Sequence, residues 1–201
     1  MVAFSAGAVE KGARPSALSE DPVVEEQFAV ALELHQKGVE GDEDAVVEAQ
    51  QILEQLLERE PTNARVQAFL GNLYALRARD AIFYKKMGWL RKGEETLDGA
   101  VAAAPDDPSV RSVRAINSFK LPRIFGRRDL AEEDFGLLMD WAENDPSRFS
   151  DDLRRFVLYH AGQFYGERDE ARGRELLEKA RSVPGDSVSD EEIEEQLREM
   201  R

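Results

Sequence analysis

Apolar residues recur along this chain three and four positions apart, the spacing that places them on one face of an α-helix. One clear stripe comprises Val66, Phe69, Leu70, Leu73 and Tyr74. Similar stripes follow one another from residue 23 to residue 200. No segment alternates apolar and polar residues as a half-buried β-strand does. The pattern therefore predicts an all-α protein.

Four prolines divide these stripes into units of similar length. Intervals of 44, 41 and 38 residues separate Pro61, Pro105, Pro146 and Pro184. Each interval holds two amphipathic patterns that end at a proline, because the residue before proline resists helical geometry. Helix pairs that repeat in this way are typical of an α-solenoid, whose units must stack to bury their apolar faces. We therefore expect an α-α superhelix of about four helix pairs.

Polar residues at the edges of the stripes predict where several helices begin. The first helix is expected to start near Val23, and Asn63 and Ser150 are expected to cap later helices. Ser189 opens a capping box, and the helix that follows it is predicted to cover the open face of the last unit. The acidic turn over 40–44 is expected to cap its following helix, because it lacks the ligand spacing of a calcium loop.

The second unit has the longest stripe of the chain. It starts at Val66 and is expected to continue through Ile82 to Met87, which would make a helix of roughly 24 residues. Gly88 is expected to end that helix, since glycine is unfavourable in a helix interior. The partner helix would then carry Leu90.

The chain is expected to have three parts and no membrane span. They are a flexible leader over 1–22, a helical repeat domain over 23–186 and a C-terminal capping helix over 187–201. No run of about 18 apolar residues occurs, which a membrane-spanning helix needs. We expect a cytoplasmic protein, or a periplasmic one if a secretion signal preceded this sequence.

Short motifs in the chain resemble those of tetratricopeptide repeats. Residues 70–74 (Leu-Gly-Asn-Leu-Tyr) and 161–165 (Ala-Gly-Gln-Phe-Tyr) each place an aromatic residue three positions after a glycine. Before the closing prolines, the family's second-helix pattern is matched by Ala49, Leu53 and Leu56, by Gly93, Leu97 and Ala100, and by Gly173, Leu177 and Ala180. The resemblance covers about 23–185. It implies a superhelix that binds other proteins in a concave groove lined by the first helix of each pair.

Two positions of the third unit depart from this family pattern. Asp134 stands where a small residue is expected, and Arg114 falls where Leu70 stands in the second unit. The packing of the third unit is therefore the part of the fold that the sequence predicts least well.

Charge is distributed unevenly along the chain. The net charge is −14, which disfavours general nucleic-acid binding. Residues 77–128 nevertheless contain 12 Lys or Arg and 6 acidic residues. We predict that this region forms a basic groove that binds another protein or a peptide, an acidic one being a candidate. The predicted contacts are Asn72, Lys85, Arg111, Arg114 and Asn117.

A less specific interpretation of the same region stays open. The basic side chains could pair with acidic residues of neighbouring units, and the interleaved aromatic residues could lie in the core. A second functional alternative is an accessory protein, related to transport or to the envelope, that holds a small anionic molecule in this region. Such a ligand would need a closed cavity, whereas a peptide would need an open groove.

Nothing in the sequence indicates catalysis or a bound cofactor. There is no cysteine, so thiolate catalysis and thiolate metal sites are excluded. His35 and His160 lie on apolar stripes and are expected to be core or groove residues rather than metal ligands. No Gly-rich phosphate loop or nucleophile elbow is present. We expect a non-catalytic adaptor without a metal or cofactor.

The oligomeric state is expected to be a monomer or a weak homodimer. The apolar stripe of the C-terminal helix consists of Ile193, Leu197 and Met200. This stripe could dock on the fourth unit of its own chain or on a neighbouring molecule. The two alternatives differ in whether these side chains are buried within one chain.

Overall fold

The structure of the protein, a computed structural model, describes residues 19–200. These residues form nine α-helices, two short 3-10 turns and no β-strand. The α-helices are α1 (Pro22–Glu40), α2 (Glu43–Arg59), α3 (Ala64–Asp80), α4 (Phe83–Ala103), α5 (Pro108–Lys120), α6 (Arg128–Asn144), α7 (Asp151–Gly166), α8 (Glu170–Ser182) and α9 (Asp190–Glu199). The 3-10 turns are Arg123–Phe125 and Pro146–Arg148. Of the predicted leader over 1–22, residues 1–18 lie outside the described residues.

Successive helices pack as hairpins that stack along the chain. The pairs are α1 with α2, α3 with α4, α5 with α6 and α7 with α8, and α9 packs on α8. The first helices α1, α3, α5 and α7 also contact one another in that order, so they form a continuous layer. The prediction of an all-α superhelix of four helix pairs plus a C-terminal helix is confirmed.

The predicted ends and cap residues of these helices are confirmed as well. Helices α2, α4, α6 and α8 each end two residues before one of the four prolines. The Asn63 side chain accepts a hydrogen bond from the Val66 amide at 3.2 Å, and Ser150 accepts one from the Leu153 amide at 3.1 Å. Ser189 forms the complete capping box at the start of α9. In the acidic turn, Asp42 caps α2.

The prediction of one long helix from Val66 to Met87 is wrong. Helix α3 ends at Asp80, the backbone is extended at Ala81 and Ile82, and Gly88 lies inside α4. The reason is the contact between Gly71 and Gly93. These glycines lie 11 residues before and 11 residues after Ile82, and only a reversal at that point can bring them together.

The C-terminal helix covers the last unit of its own chain. Ile193 and Leu197 are buried, and the end of the Met200 side chain lies against Gly166 at the end of α7. A side chain on Gly166 would overlap with Met200. The alternative in which this stripe docks on a neighbouring molecule is therefore wrong.

Glycine brings the two helices of a pair into backbone contact at equivalent places in the second and fourth units. A Cβ atom added to Gly93 would lie 2.9 Å from the Gly71 carbonyl oxygen. A Cβ atom added to Gly173 would lie at the same distance from the Gly162 carbonyl oxygen. Separations this short force the helices apart, because the opposing atom is backbone. The small residues of the family pattern thus have a steric cause.

We predict opposite effects for two Gly→Ala substitutions on helix α4. Gly93→Ala should destabilise the protein by about 1–2 kcal/mol, because overpacking costs roughly 1–3 kcal/mol and the gain in helix propensity offsets up to ~1 kcal/mol of it. Gly88→Ala is the matched control, since no atom lies within 4 Å of a Cβ there, and should stabilise by about 0.5–1 kcal/mol. Urea unfolding of the two variants measures both values. A stabilising Gly93→Ala would contradict the backbone contact.

Candidate functional site

A groove of about 290 Å³ lies beside the basic middle of the chain. It runs between the end of α3, the start of α4, the end of α5 and the segment that follows α5. Its walls are mainly apolar, and they are formed by Ala75, Ala78, Met87, Leu90, Leu121, Pro122 and Phe125. Its polar lining residues are Asn72, Arg79, Lys86, Asn117 and Lys120.

Two asparagines from neighbouring first helices line the groove. Asn72 on α3 is 2% exposed, so it forms part of the floor rather than the exposed contact that we expected. Asn117 on α5 is half-buried and donates a hydrogen bond from Nδ2 to the Val113 carbonyl at 2.9 Å. The structure thus brings together two of the five predicted contact residues.

The cations around the groove differ in how strongly they are held. Arg79 pairs with Asp80 and donates to the Gly38 carbonyl at 2.8 Å, so it ties α3 to the end of α1. Lys86 and Lys120 are exposed on opposite sides of the groove. Although Lys120 is exposed, its ammonium donates to Gln163 at 3.0 Å, and partial desolvation by the surrounding residues lowers its pKa, which the charge of Glu167 opposes.

Arg111 and Arg114 do not face the groove, and the expectation that they are exposed is wrong. Arg111 donates to Asp134 at 2.6 Å, and Arg114 donates to the same carboxylate at 2.7 and 2.8 Å. Asp134 is 0% exposed. The two positions that depart from the family pattern, Arg114 and Asp134, therefore pair with each other inside the third unit. The less specific interpretation is thus correct that these arginines pair with acidic residues, but their main partner lies in their own unit, and only the 3.5 Å contact of Arg114 with Asp98 reaches a neighbouring unit.

Other cations of the region are also paired with acidic residues. Arg127 donates to both carboxylate oxygens of Asp98 at 2.7 Å, and Arg128 pairs with Glu167. Lys85 differs, because it is exposed and forms no ion pair with a carboxylate of residues 19–200. It lies at the start of α4 but not in the wall of the groove.

The aromatic residues of the region are only partly in the core. Phe119 is buried, and Trp89 stacks on Tyr74 with ring centroids 5.7 Å apart. Phe83 and Tyr84 are 93% and 75% exposed, so the interpretation that places them in the core is wrong. The sequence did not predict that Leu121, Pro122 and Phe125 line the groove. Pro122 indicated only that helix α5 ends near this point.

The comparisons with known proteins agree with this architecture. Residues 42–116 match the family model described as tetratricopeptide repeat. The matched segment begins at the cap of α2 and extends into α5, so it includes both helices α3 and α4 of the groove. The chain is an all-helical repeat protein, and its residues 42–116 resemble tetratricopeptide repeats. No curated protein sequence and no solved structure matches it.

The family match carries a general expectation for the repeat protein. Tetratricopeptide repeats generally mediate protein–protein interaction, and the family is typically non-catalytic. Among residues 19–200, no group of three or more His, Asp or Glu side chains could hold a metal ion. No described helix is both long and apolar enough to cross a membrane.

The two histidines of the repeat protein lie in the interior of the first-helix layer. His35 packs against Phe69 with ring centroids 5.8 Å apart, and burial lowers its pKa to about 4 despite a hydrogen bond with Asn72. His160 faces Gln163 at 3.2 Å. Burial and the nearby Lys120 charge lower the pKa of His160 to about 3. Both side chains are therefore neutral in the folded protein near neutral pH.

We predict that breaking the buried ion cluster destabilises the third unit. Asp134→Asn would leave Arg111 and Arg114 buried without their counter-charge, at a cost of about 3–5 kcal/mol. The control is Glu133→Gln, because Glu133 is exposed and lies 3.7 and 4.0 Å from the same two arginines. The control should change stability by less than about 0.5 kcal/mol. Urea unfolding of the two variants tests this, and equal effects would show that the buried carboxylate has no special role.

We also predict that the buried histidines make stability depend on pH. The unfolded chain protonates them near pH 6.5, whereas the folded protein does so near pH 4 for His35 and pH 3 for His160. The unfolded state thus binds more protons below about pH 6.5. The free energy of unfolding should therefore fall by about 1.4 kcal/mol per pH unit for each histidine as the pH is lowered.

Urea unfolding at pH 7 and pH 5 of the natural protein and of His160→Gln measures this effect. From pH 7 to pH 5 each buried histidine should account for a loss of about 2 kcal/mol, so the variant should lose that much less. Carboxylates titrate in both proteins and cancel in the comparison. The same loss in both proteins would show that His160 is not responsible.

Proposed function

We propose that this repeat protein is a non-catalytic adaptor that binds a peptide segment of another protein in the groove between α3, α4 and α5. The observation that carries the proposal is the combination of apolar walls, two asparagines and two exposed lysines in one open groove. Each of these features matches a different part of a peptide chain.

The asparagines match the main chain of an extended peptide. A side-chain amide offers both a donor and an acceptor, and a peptide bond needs both. Asn72 and Asn117 project from consecutive first helices, so they lie along the direction in which the repeats stack. A peptide held by both would therefore run along the first-helix layer and cross from the second unit to the third.

The walls and the rim define the side chains that such a peptide would carry. Met87, Leu90 and Phe125 form an apolar surface suited to a large apolar side chain. Lys86 and Lys120 stand at the edge, where they favour a carboxylate nearby. The proposed ligand is therefore a segment with a bulky apolar residue next to Asp or Glu.

A small anionic molecule is less well matched to the same groove. Arg79 is held by Asp80 and by the Gly38 carbonyl, and Arg111 and Arg114 are held by Asp134. The remaining lysines at the groove are exposed. Binding a small anion tightly requires its charge to be matched within a desolvated pocket. This groove does not supply that match, whereas rim lysines suffice for a peptide.

The proposal can be tested with peptides selected from a random display library against the full chain. The selected sequences should combine a large apolar residue with acidic neighbours. Ala75→Trp would fill the groove and should abolish binding of a synthetic selected peptide in fluorescence anisotropy. Lys86→Glu should weaken it by about tenfold, the size expected of an interfacial charge pair.

Arg91→Glu is the matched control for the charge reversal. It changes an exposed cation of the same helix that does not line the groove, and peptide affinity should stay within about twofold. Peptides that bind Ala75→Trp as well as the natural protein would refute the groove as the binding site.

A further inference from the structure

The start of helix α4 carries large apolar side chains in solvent. Residues 82–88 are all exposed, whereas a helix that packs along its length buries one face in every turn. For nearly two turns α4 buries no side chain fully, although Lys86 and Met87 face the groove and Ile82 and Met87 are only 56% and 51% exposed. The apolar residues in this protruding segment are Ile82, Phe83, Tyr84 and Met87.

A second apolar protrusion stands on the opposite side of the groove. It is the 3-10 turn Arg123–Phe125, which follows α5. Ile124 at its centre is 89% exposed, and Arg123 beside it is exposed but paired with Glu167 at 3.2 Å. We refer to residues 82–88 and 123–125 as the two tips. Both tips present apolar side chains next to cations.

The tips belong to the parts of the chain that lack acidic residues. The whole chain contains 41 Asp and Glu, but none lies in 81–93 or in 108–128. These two segments contain ten Lys and Arg. Within the described part of the chain, Lys85, Lys86, Arg91 and Lys120 form no ion pair. Most of the negative charge lies elsewhere in the sequence, although Glu167 pairs with Arg123 and Arg128 at the second tip. At physiological ionic strength the influence of more distant charges is screened beyond about 8 Å.

The shape and chemistry of the tips identify the class of their partner. The most exposed side chains, Phe83 at 93% and Ile124 at 89%, protrude beside the groove, and a lipid headgroup region can surround such protruding side chains. Aromatic side chains favour that region, and neighbouring lysines can contact lipid phosphates. A symmetric contact with a second copy of this chain would instead bring the same unpaired cations together.

We propose that the two tips bind reversibly to the surface of an anionic lipid bilayer. Phe83 and Ile124 enter the headgroup region, and Lys85 and Lys86 contact phosphate groups. This activity is additional to peptide binding, and the two surfaces adjoin each other, because Lys86, Met87 and Phe125 also line the groove. It needs no membrane-spanning helix, because the contact is interfacial.

The test is co-sedimentation of the full chain with lipid vesicles. Binding is expected to vesicles of phosphatidylcholine mixed with phosphatidylglycerol, to weaken as salt is raised, and to be much weaker with phosphatidylcholine alone. Phe83→Ser combined with Tyr84→Ser should reduce the partition coefficient by at least about tenfold. Both residues are exposed, so circular dichroism should show an unchanged fold.

Val23→Ser combined with Val30→Ser is the matched control, because these valines are exposed on α1 at 43% and 44%. Its partition coefficient should equal that of the natural protein. The proposal is wrong if the natural protein does not sediment with anionic vesicles, or if the tip variant sediments equally well. A soluble protein bound through Phe83 and Tyr84 in the absence of vesicle binding would also overturn it. Peptide anisotropy is measured without lipid, so either proposal can fail alone.

Discussion

The close approach of paired helices is the constraint on which this structure depends. In the second unit Gly71 and Gly93 bring two backbones together, and in the fourth unit Gly162 and Gly173 do the same. Because paired residues in a helix hairpin lie at equal distances from its turn, the glycine contact requires the chain to reverse at Ile82. That reversal ends α3 early and places the start of α4 beside the groove.

In the third unit the contact between the two helices of the pair is made by charged residues rather than by glycines. Arg114 stands where the second unit has an apolar residue, and Asp134 stands where a small residue is usual. A buried carboxylate with two arginines around it satisfies its hydrogen bonds at the cost of desolvating three ions. The net stabilisation from such a cluster is smaller than its short distances suggest. Removal of any one of its three charged side chains is nevertheless strongly destabilising, because the remaining charges stay buried without a partner. The cluster also keeps Arg111 and Arg114 out of the groove.

The basic residues of the middle region therefore fall into two groups. Most arginines of the middle region join neighbouring helices, as Arg127 does with Asp98 on α4. The lysines instead stay exposed around the groove and on the tips, where a flexible ammonium group can meet a carboxylate or a phosphate. This division follows from the guanidinium group, which makes several directed hydrogen bonds and so suits a fixed place within the fold. The basic region of the sequence thus supplies ion pairs between helices and also exposed lysines, to which we assign recognition only as a proposal.

The sequence by itself determined the helices, their pairing and most of their ends, because periodicity, proline and cap residues act within a few positions of the chain. Two of the five predicted contact residues, Asn72 and Asn117, do line one groove, and their role in binding stays a prediction. The sequence could not predict the break at Ile82, the burial of Arg111 or the exposure of Phe83. Those features depend on how each helix is rotated about its axis and on contacts between residues about 20 positions apart. Only the tertiary structure decides them, because the same apolar stripe can end in the core or at a solvent-exposed tip.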